Sequence, residues 1–218
     1  MNLGILFDLE GTLIESGYQK YPDILEKLHL DTKKMLLSIG IPRYIVNKYN
    51  KSVYLRNEAY DWAVRNFNNK ELIDFKNHVE NFMFKYDMFS AINSSEYHDT
   101  KNILKYLKKK NYKIGIVTNT SNKAANYILT KFNLKTYFDI IITRQDVKKI
   151  KPDPEMLIIA CNRMKSKVQW IVGDSFVDIK AAKNANIKSI LIKRNKNKIN
   201  YQADYIINNL LDIKNIVK

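Results

Sequence analysis

Residues 112–144 read YKIGIVTNTSNKAANYILTKFNLKTYFDIIITR. A short apolar run, KIGIV, gives way to the polar TNTS. AANYILTKF follows with its apolar residues at helical spacing, and FDIIITR is again short, apolar and β-branched. Strand, helix of about ten residues, strand is the signature of a βαβ unit, in which the two strands run parallel and the crossover is right-handed. The pattern extends on both sides. EMLIIACNRM (155–164) predicts a helix, VQWIVGD (168–174) a strand, VDIKAAKNA (177–185) a helix and KSILIK (188–193) a strand. DYIIN (204–208) predicts a last short strand, with a helix near 209–217, while ILKYL (103–107) is helical and LGILF (3–7) is one more strand. The predicted class is α/β, with a Rossmann-like parallel sheet as its core.

Residues 16–95 interrupt this alternation. LRNEAYDWAVRNF (55–67) and LIDFKNHVENFMFKYDMF (72–89) have helical spacing, and no strand pattern is visible. The chain therefore divides into an α/β core, 1–15 plus 96–218, and an inserted all-helical domain, 16–95, joined through linkers near 14–18 and 88–98. The insert holds about half of the chain's aromatic residues, read as a compact helical core in preference to an aromatic-lined pocket.

Composition bounds the rest. The chain has 218 residues, 45% hydrophobic and 27% charged, as in ordinary globular proteins. No apolar run approaches the roughly 20 residues of a membrane span, and no basic segment followed by an apolar run marks a signal peptide. Cys161 stands alone in the sequence and is expected to be buried and inert within its helix; a cytoplasmic setting is expected. The net charge of +15 is read as a lysine-rich solvated surface. The densest basic segment, KSILIKRNKNK (188–198), lacks the interleaved aromatics that would stack on bases, so no specific nucleic-acid partner is expected, and no membrane. A monomer or homodimer is expected.

In open parallel sheets ligands bind beyond the carboxyl ends of the strands. There ILFDLEGTLI (5–14) places Asp8 and Glu10, VTNTS (117–121) places Thr118, Asn119, Thr120 and Ser121, KKIKPDPEM (148–156) places Lys151, and GDSFVD (173–178) places Asp174 and Asp178. Carboxylates without a His or Cys cluster suit a hard cation such as Mg²⁺. His29, His78 and His98 are scattered and read as surface residues. A lysine, hydroxyls and backbone N–H groups suit phosphate oxygens, and a carboxylate facing a phosphoryl group can act as nucleophile. The set specifies phosphoryl transfer.

These four segments, FDLEGTL (7–13), VTNTS (117–121), KPDP (151–154) and GDSFVD (173–178), resemble in order and spacing the motifs of the haloacid dehalogenase-like hydrolase superfamily. The helical insert between the first two resembles the cap of its phosphoglycolate phosphatase-like branch. The resemblance implies a Mg²⁺-dependent phosphomonoester hydrolase acting on a small phosphorylated metabolite such as phosphoglycolate, a sugar phosphate or a nucleotide. Asp8 would be the nucleophile, becoming an aspartyl-phosphate, and Glu10 the acid and base. Asp8, the Glu10 backbone carbonyl and Asp174 would hold Mg²⁺. Thr118 and the Asn119 N–H would bind the phosphoryl group, Lys151 would offset charge, and Asp178 would orient Lys151 or a metal-bound water. Most family phosphatases carry Asp where this chain has Glu10; the enolase-phosphatase branch shares Asp-x-Glu-Gly-Thr. The true dehalogenases carry no acid there, so the carboxylate favours ester hydrolysis over the alternative of a 2-haloacid dehalogenase. A non-catalytic binding domain is the other alternative, and the full motif set speaks against it. In the insert, Arg43, Arg56 and Arg65 are candidate anchors for a second anionic group.

Overall fold

A computed structural model describes residues 3–194 and 202–217. The chain forms two compact units, Met1–Ser16 with Ser94–Lys218, and Gly17–Asn93.

The first unit is built on a six-stranded sheet. Its strands are β1 (Leu3–Phe7), β4 (Lys113–Val117), β5 (Ile140–Ile142), β6 (Lys167–Gly173), β7 (Lys188–Ile192) and β8 (Tyr205–Ile207), in the order β5-β4-β1-β6-β7-β8, every pair parallel. The α/β class expected from the alternation is the one observed. Both faces of such a sheet are covered, which is why its central strands read as unbroken apolar runs: Ile5, Leu6, Phe7, Ile114, Ile116 and Val117 are fully buried. The covering helices are α6 (Thr100–Lys109), α7 (Asn122–Lys131), α8 (Glu155–Met164), α9 (Phe176–Asn184) and the single turn α10 (Ile213–Ile216). The last of these is preceded by a 3₁₀ turn, Leu210–Asp212, so the helix expected near 209–217 is shorter and broken in two. Asn209 starts the 3₁₀ turn, its side chain accepting from Leu211 N–H at 2.8 Å.

Register then places the chemistry. Phe7 pairs with Ile116 on one side and Val172 on the other, so β1, β4 and β6 end level. The next residues, Asp8, Thr118 and the Gly173-Asp174 pair, therefore emerge together at one sheet edge. Asp8 N–H still donates to Val172 at 2.8 Å and Thr118 N–H to Ile142 at 3.0 Å, so both backbones are fixed by the sheet to the last bond.

Within the first unit, two residues on each side of the helical segment form an antiparallel ribbon, β2 (Ile14–Glu15) with β3 (Ser95–Glu96), Ile14 opposite Glu96. No strand was expected here, because two residues are too few for the alternation that betrays a strand in sequence.

The second unit is helical: α1 (Gly17–Lys20), α2 (Pro22–Ser38), α3 (Arg43–Val46), α4 (Ser52–Asn66) and α5 (Asn69–Ile92). Helix α5 starts at a capping box in which Asn68 and Glu71 exchange backbone and side-chain hydrogen bonds of 2.8 and 3.0 Å. Leu28, Leu36, Leu55, Ala59, Phe75, Val79 and Met83 form its core. Tyr18, Tyr49, Trp62, Phe67, Phe82 and Tyr86 pack against that core, with edge contacts between Trp62 and Phe67 and between Phe67 and Phe75. The aromatic richness thus serves packing within the unit. His29 is not a surface residue as expected: it is partly buried, bonded to the Ser52 hydroxyl at 3.1 Å, and burial lowers its pKa. His78 and His98 are exposed. Residues 195–198 of the basic segment lie outside the described residues, and its first half is β7.

Candidate active site

Asp8 leaves β1 into a turn that only glycine closes comfortably. Gly11 has φ +88°, and a Cβ there would stand 2.2 Å from Asp174 Oδ2. The turn is tied by Gly11 N–H to Ile14 at 2.6 Å and by Leu13 and Ile14 N–H to Leu9, both at 3.0 Å. It brings backbone against a carboxylate delivered by β6, two strands' ends meeting at one point. Gly11→Ala should therefore cost roughly 1–3 kcal/mol, the scale of non-glycine strain at such a φ, and should push Asp174 aside. Thermal unfolding and a metal titration check this; parent values in both would contradict it.

Lys151 is the centre of the charged cluster. It is only 1% exposed. Its ammonium donates to Asp8 Oδ1 at 2.7 Å, Asp178 Oδ1 at 2.6 Å and the Val117 carbonyl at 2.7 Å, so all three donors are used. The Asn119 side chain grips the Lys151 peptide from both sides: Lys151 N–H donates to Asn119 Oδ1 at 3.0 Å and Asn119 Nδ2 donates to the Lys151 carbonyl at 3.1 Å. The peptide that follows, to Pro152, is cis. The segment ends in α8, whose first residue, Glu155, accepts N–H bonds from Lys148 and Lys149 at 3.0 and 2.9 Å.

Asp8, Asp174 and Asp178 can each offer a carboxylate oxygen within 4.8 Å of the others. Their roles differ. Asp178 sits at the first turn of α9 and accepts from the Ser175 N–H at 3.2 Å, from the Ser175 hydroxyl and from Lys151, so protein donors engage both of its oxygens. A Cβ on Gly173 would come within 2.4 Å of it, which is why β6 ends in glycine. Burial pushes Asp8 up to about 6; the Lys151 charge opposes that and Asp178 adds to it. Asp174 is held well above the usual carboxylate range, first by burial and then by the Asp8 and Asp178 charges. Burial alone would lower Lys151, but the charges of Asp178 and Asp8 raise it, so it stays an ammonium. One ammonium faces three acids and pairs with two of them, Asp8 and Asp178.

The wall opposite is the loop after β4. Thr118 is buried, and its Oγ1 accepts the Thr120 N–H at 3.2 Å. Ser121 caps α7 by accepting from Ala124 N–H at 3.4 Å. Glu10, partly buried, accepts a hydrogen bond from the Thr120 hydroxyl at its Oε2. The structure thus brings Asp8, Glu10, Thr118, Asn119, Lys151, Asp174 and Asp178 together at one edge of the sheet.

Sequence reading missed Arg144. It is 1% exposed, its Nη1 donates to the Asn119 carbonyl at 3.1 Å and its N–H to the Thr120 carbonyl at 3.2 Å. It braces the loop from behind. The signal was a polar cluster, TRQD (143–146), at the end of β5. Arg194, just past the end of β7, belongs in sequence to the basic segment 188–198. It is partly buried, donating to the Thr12 carbonyl at 2.6 and 3.2 Å and pairing with Asp99 at 2.8 Å. Of the three arginines of the insert, Arg56 is buried beside Glu80 at 3.8 Å, whereas Arg43 and Arg65 are exposed. Cys161 is half-buried rather than buried, and burial raises its thiol, which leaves it weakly nucleophilic.

Residues 5–192 match the family model of the haloacid dehalogenase-like hydrolases. The chain belongs to this family. Within it, a curated relative is the Pyrophosphatase PpaX of Bacillus mycoides (strain KBAB4), 26% identical and aligned over 96% of this chain and 94% of its own. Among solved structures, a protein described as a predicted phosphoglycolate phosphatase from Haemophilus somnus 129pt superposes with a TM-score of 0.63, at 26% identity over 99% of this chain and 97% of its own. A HAD phosphatase from Thermococcus onnurineus gives 0.61, again at 26% identity, with 99% and 97% covered. The chain is accordingly a hydrolase with the haloacid dehalogenase-like fold, and no helix among the described residues is long and apolar enough to cross a membrane.

Proposed function

We propose that this family member is a Mg²⁺-dependent phosphomonoester hydrolase that works through an aspartyl-phosphate on Asp8. The observation that carries the reading is the buried Lys151 fixed between Asp8 and Asp178, with Asp174 beside them and the Thr118–Asn119 loop opposite. Lys151 holds one oxygen of Asp8, which orients the other to attack phosphorus in line with the leaving oxygen. Thr118 and the Asn119 N–H would bind the phosphoryl oxygens. Glu10 would give its proton to the leaving oxygen as the ester bond breaks. It would then take a proton from the water that attacks the aspartyl-phosphate, releasing phosphate and restoring Asp8.

The donor set fits a hard divalent cation: Asp8, Asp174 and the Glu10 carbonyl would hold it, and the Gly11 turn lies against Asp174. When bound, the cation neutralises charge on the phosphoryl group and on the acids around it. Because burial raises Asp8 to about 6 and holds Asp174 well above the usual carboxylate range, a cation that favours their ionised forms must displace protons. Mg²⁺ affinity should therefore fall as pH drops from 7 to 5, and binding at neutral pH should release protons. Calorimetry in buffers of different ionisation enthalpy measures this; buffer-independent heats and a flat affinity would contradict it.

Residues 17–93 act as a cap that selects substrates in this reading. The setting is cytoplasmic, and substrates are small phosphorylated metabolites. A panel of phosphoglycolate, sugar phosphates, nucleotides and inorganic pyrophosphate, the last because curated relatives bear the name pyrophosphatase, tests the reading directly. Turnover should require Mg²⁺, vanish in EDTA and be absent from Asp8→Asn. Halide release from 2-haloacids that survives EDTA would replace this reading by the dehalogenase one.

A further inference from the structure

We infer that Thr120 is a positioning residue for Glu10, and that the extra methylene of Glu10 is there to reach it; this rests on the acid–base role of Glu10 proposed above. The two residues come from different strands and are 110 positions apart. Glu10 rides on the turn after β1, and Thr120 on the loop after β4. The Thr120 hydroxyl donates to Oε2, which fixes the plane of the carboxyl. An Asp at position 10 would end about one 1.5 Å bond short of that hydroxyl.

Thr120 is itself held. It is 6% exposed, its N–H is bound by Thr118 Oγ1 at 3.2 Å, and its carbonyl accepts from Arg144 N–H at 3.2 Å. Arg144 Nη1 takes the neighbouring Asn119 carbonyl at 3.1 Å. A buried, braced hydroxyl loses little freedom when it donates, so the bond orients the carboxyl instead of following it. The same loop presents Thr118 and Asn119, so the acid is set in register with the groups proposed to bind the phosphoryl oxygens. Glu in place of Asp is thereby explained by a contact within the protein.

The test is a cycle of parent, Thr120→Val, Glu10→Asp and the double variant, assayed with Mg²⁺ on an alkyl and an aryl phosphate. Thr120→Val keeps the shape and removes the donor. Its kcat on the alkyl ester should fall about 10- to 100-fold, the worth of a hydrogen bond to a charged group, with KM near the parent's. The aryl ester, whose leaving group needs little protonation, should be slowed much less. Thr120→Ser should recover most of the rate. In the Glu10→Asp background Thr120→Val should change the rate less than about twofold, because the bond is already lost. Equal losses in both backgrounds, or equal slowing of both esters, would overturn the inference and leave Thr120 a structural residue. Inactivity of the parent on both esters would count against the proposed function. A crystal structure then decides the inference alone: Glu10 turned away from Thr120 overturns it, and Glu10 bonded to Thr120, with the bond lost in Glu10→Asp, supports it.

Discussion

Asp8→Asn should lose turnover by a factor on the order of 10⁴–10⁶, the scale on which removal of a catalytic nucleophile is felt, while the protein stays folded. Asparagine is isosteric and still accepts from Lys151 through its amide oxygen, so the cluster keeps its shape. It lacks the charge and the basic oxygen needed to attack phosphorus. Stability should hold or rise, because burial and the Asp178 charge already disfavour ionised Asp8, and Lys151 retains Asp178 as a partner at 2.6 Å. Steady-state assays and thermal unfolding of the same preparation separate the two effects. An active Asp8→Asn protein would remove Asp8 from the chemistry; an unfolded one would make its role structural.

Glu10→Gln should slow hydrolysis of an alkyl phosphate by about 10²–10⁴, the usual range for a general acid–base group. The loss should shrink on an aryl phosphate, because a phenolate leaves without help. Glutamine keeps the length and the acceptor for Thr120 Oγ1, so the carboxyl position is preserved and the missing proton is isolated as the cause. Glu10→Asp should keep partial activity. If Glu10→Gln matched the parent on the alkyl ester, the contribution of residue 10 would reduce to its backbone carbonyl.

The α/β core was legible because its strands are buried on both faces and its helices on one, so each element carries its own period. Strand ends could be placed within a residue or two, and α8 ran from Glu155 to Met164 as read. The candidate site was legible for the same reason: a parallel sheet aligns its strand ends, so Asp8, Thr118 and Asp174 meet wherever β1, β4 and β6 are neighbours. What escaped notice was short or non-periodic. The β2–β3 ribbon has two residues per strand, and the 3₁₀ turn at Leu210–Asp212 is set by one asparagine cap. Arg144 and Arg194 escaped because a lysine- and arginine-rich chain makes any one cation look solvated. Only the fold shows that both donate to carbonyls, of Asn119 and of Thr12. Thr120 was visible as a polar residue, but its partner lies 110 positions away and no local pattern encodes that bond.

The central claim is a covalent phosphoryl group on Asp8. Mixing excess enzyme with a phosphate-labelled substrate and Mg²⁺, then quenching in acid within a single turnover, tests it most directly. The protein should carry label that is stable in acid, released by hydroxylamine as an acyl phosphate should be, mapped to the peptide containing Asp8 and absent from Asp8→Asn. A parent enzyme that hydrolyses the substrate with no label at any quench time, and an Asp8→Asn protein that turns over at a comparable rate, would contradict it.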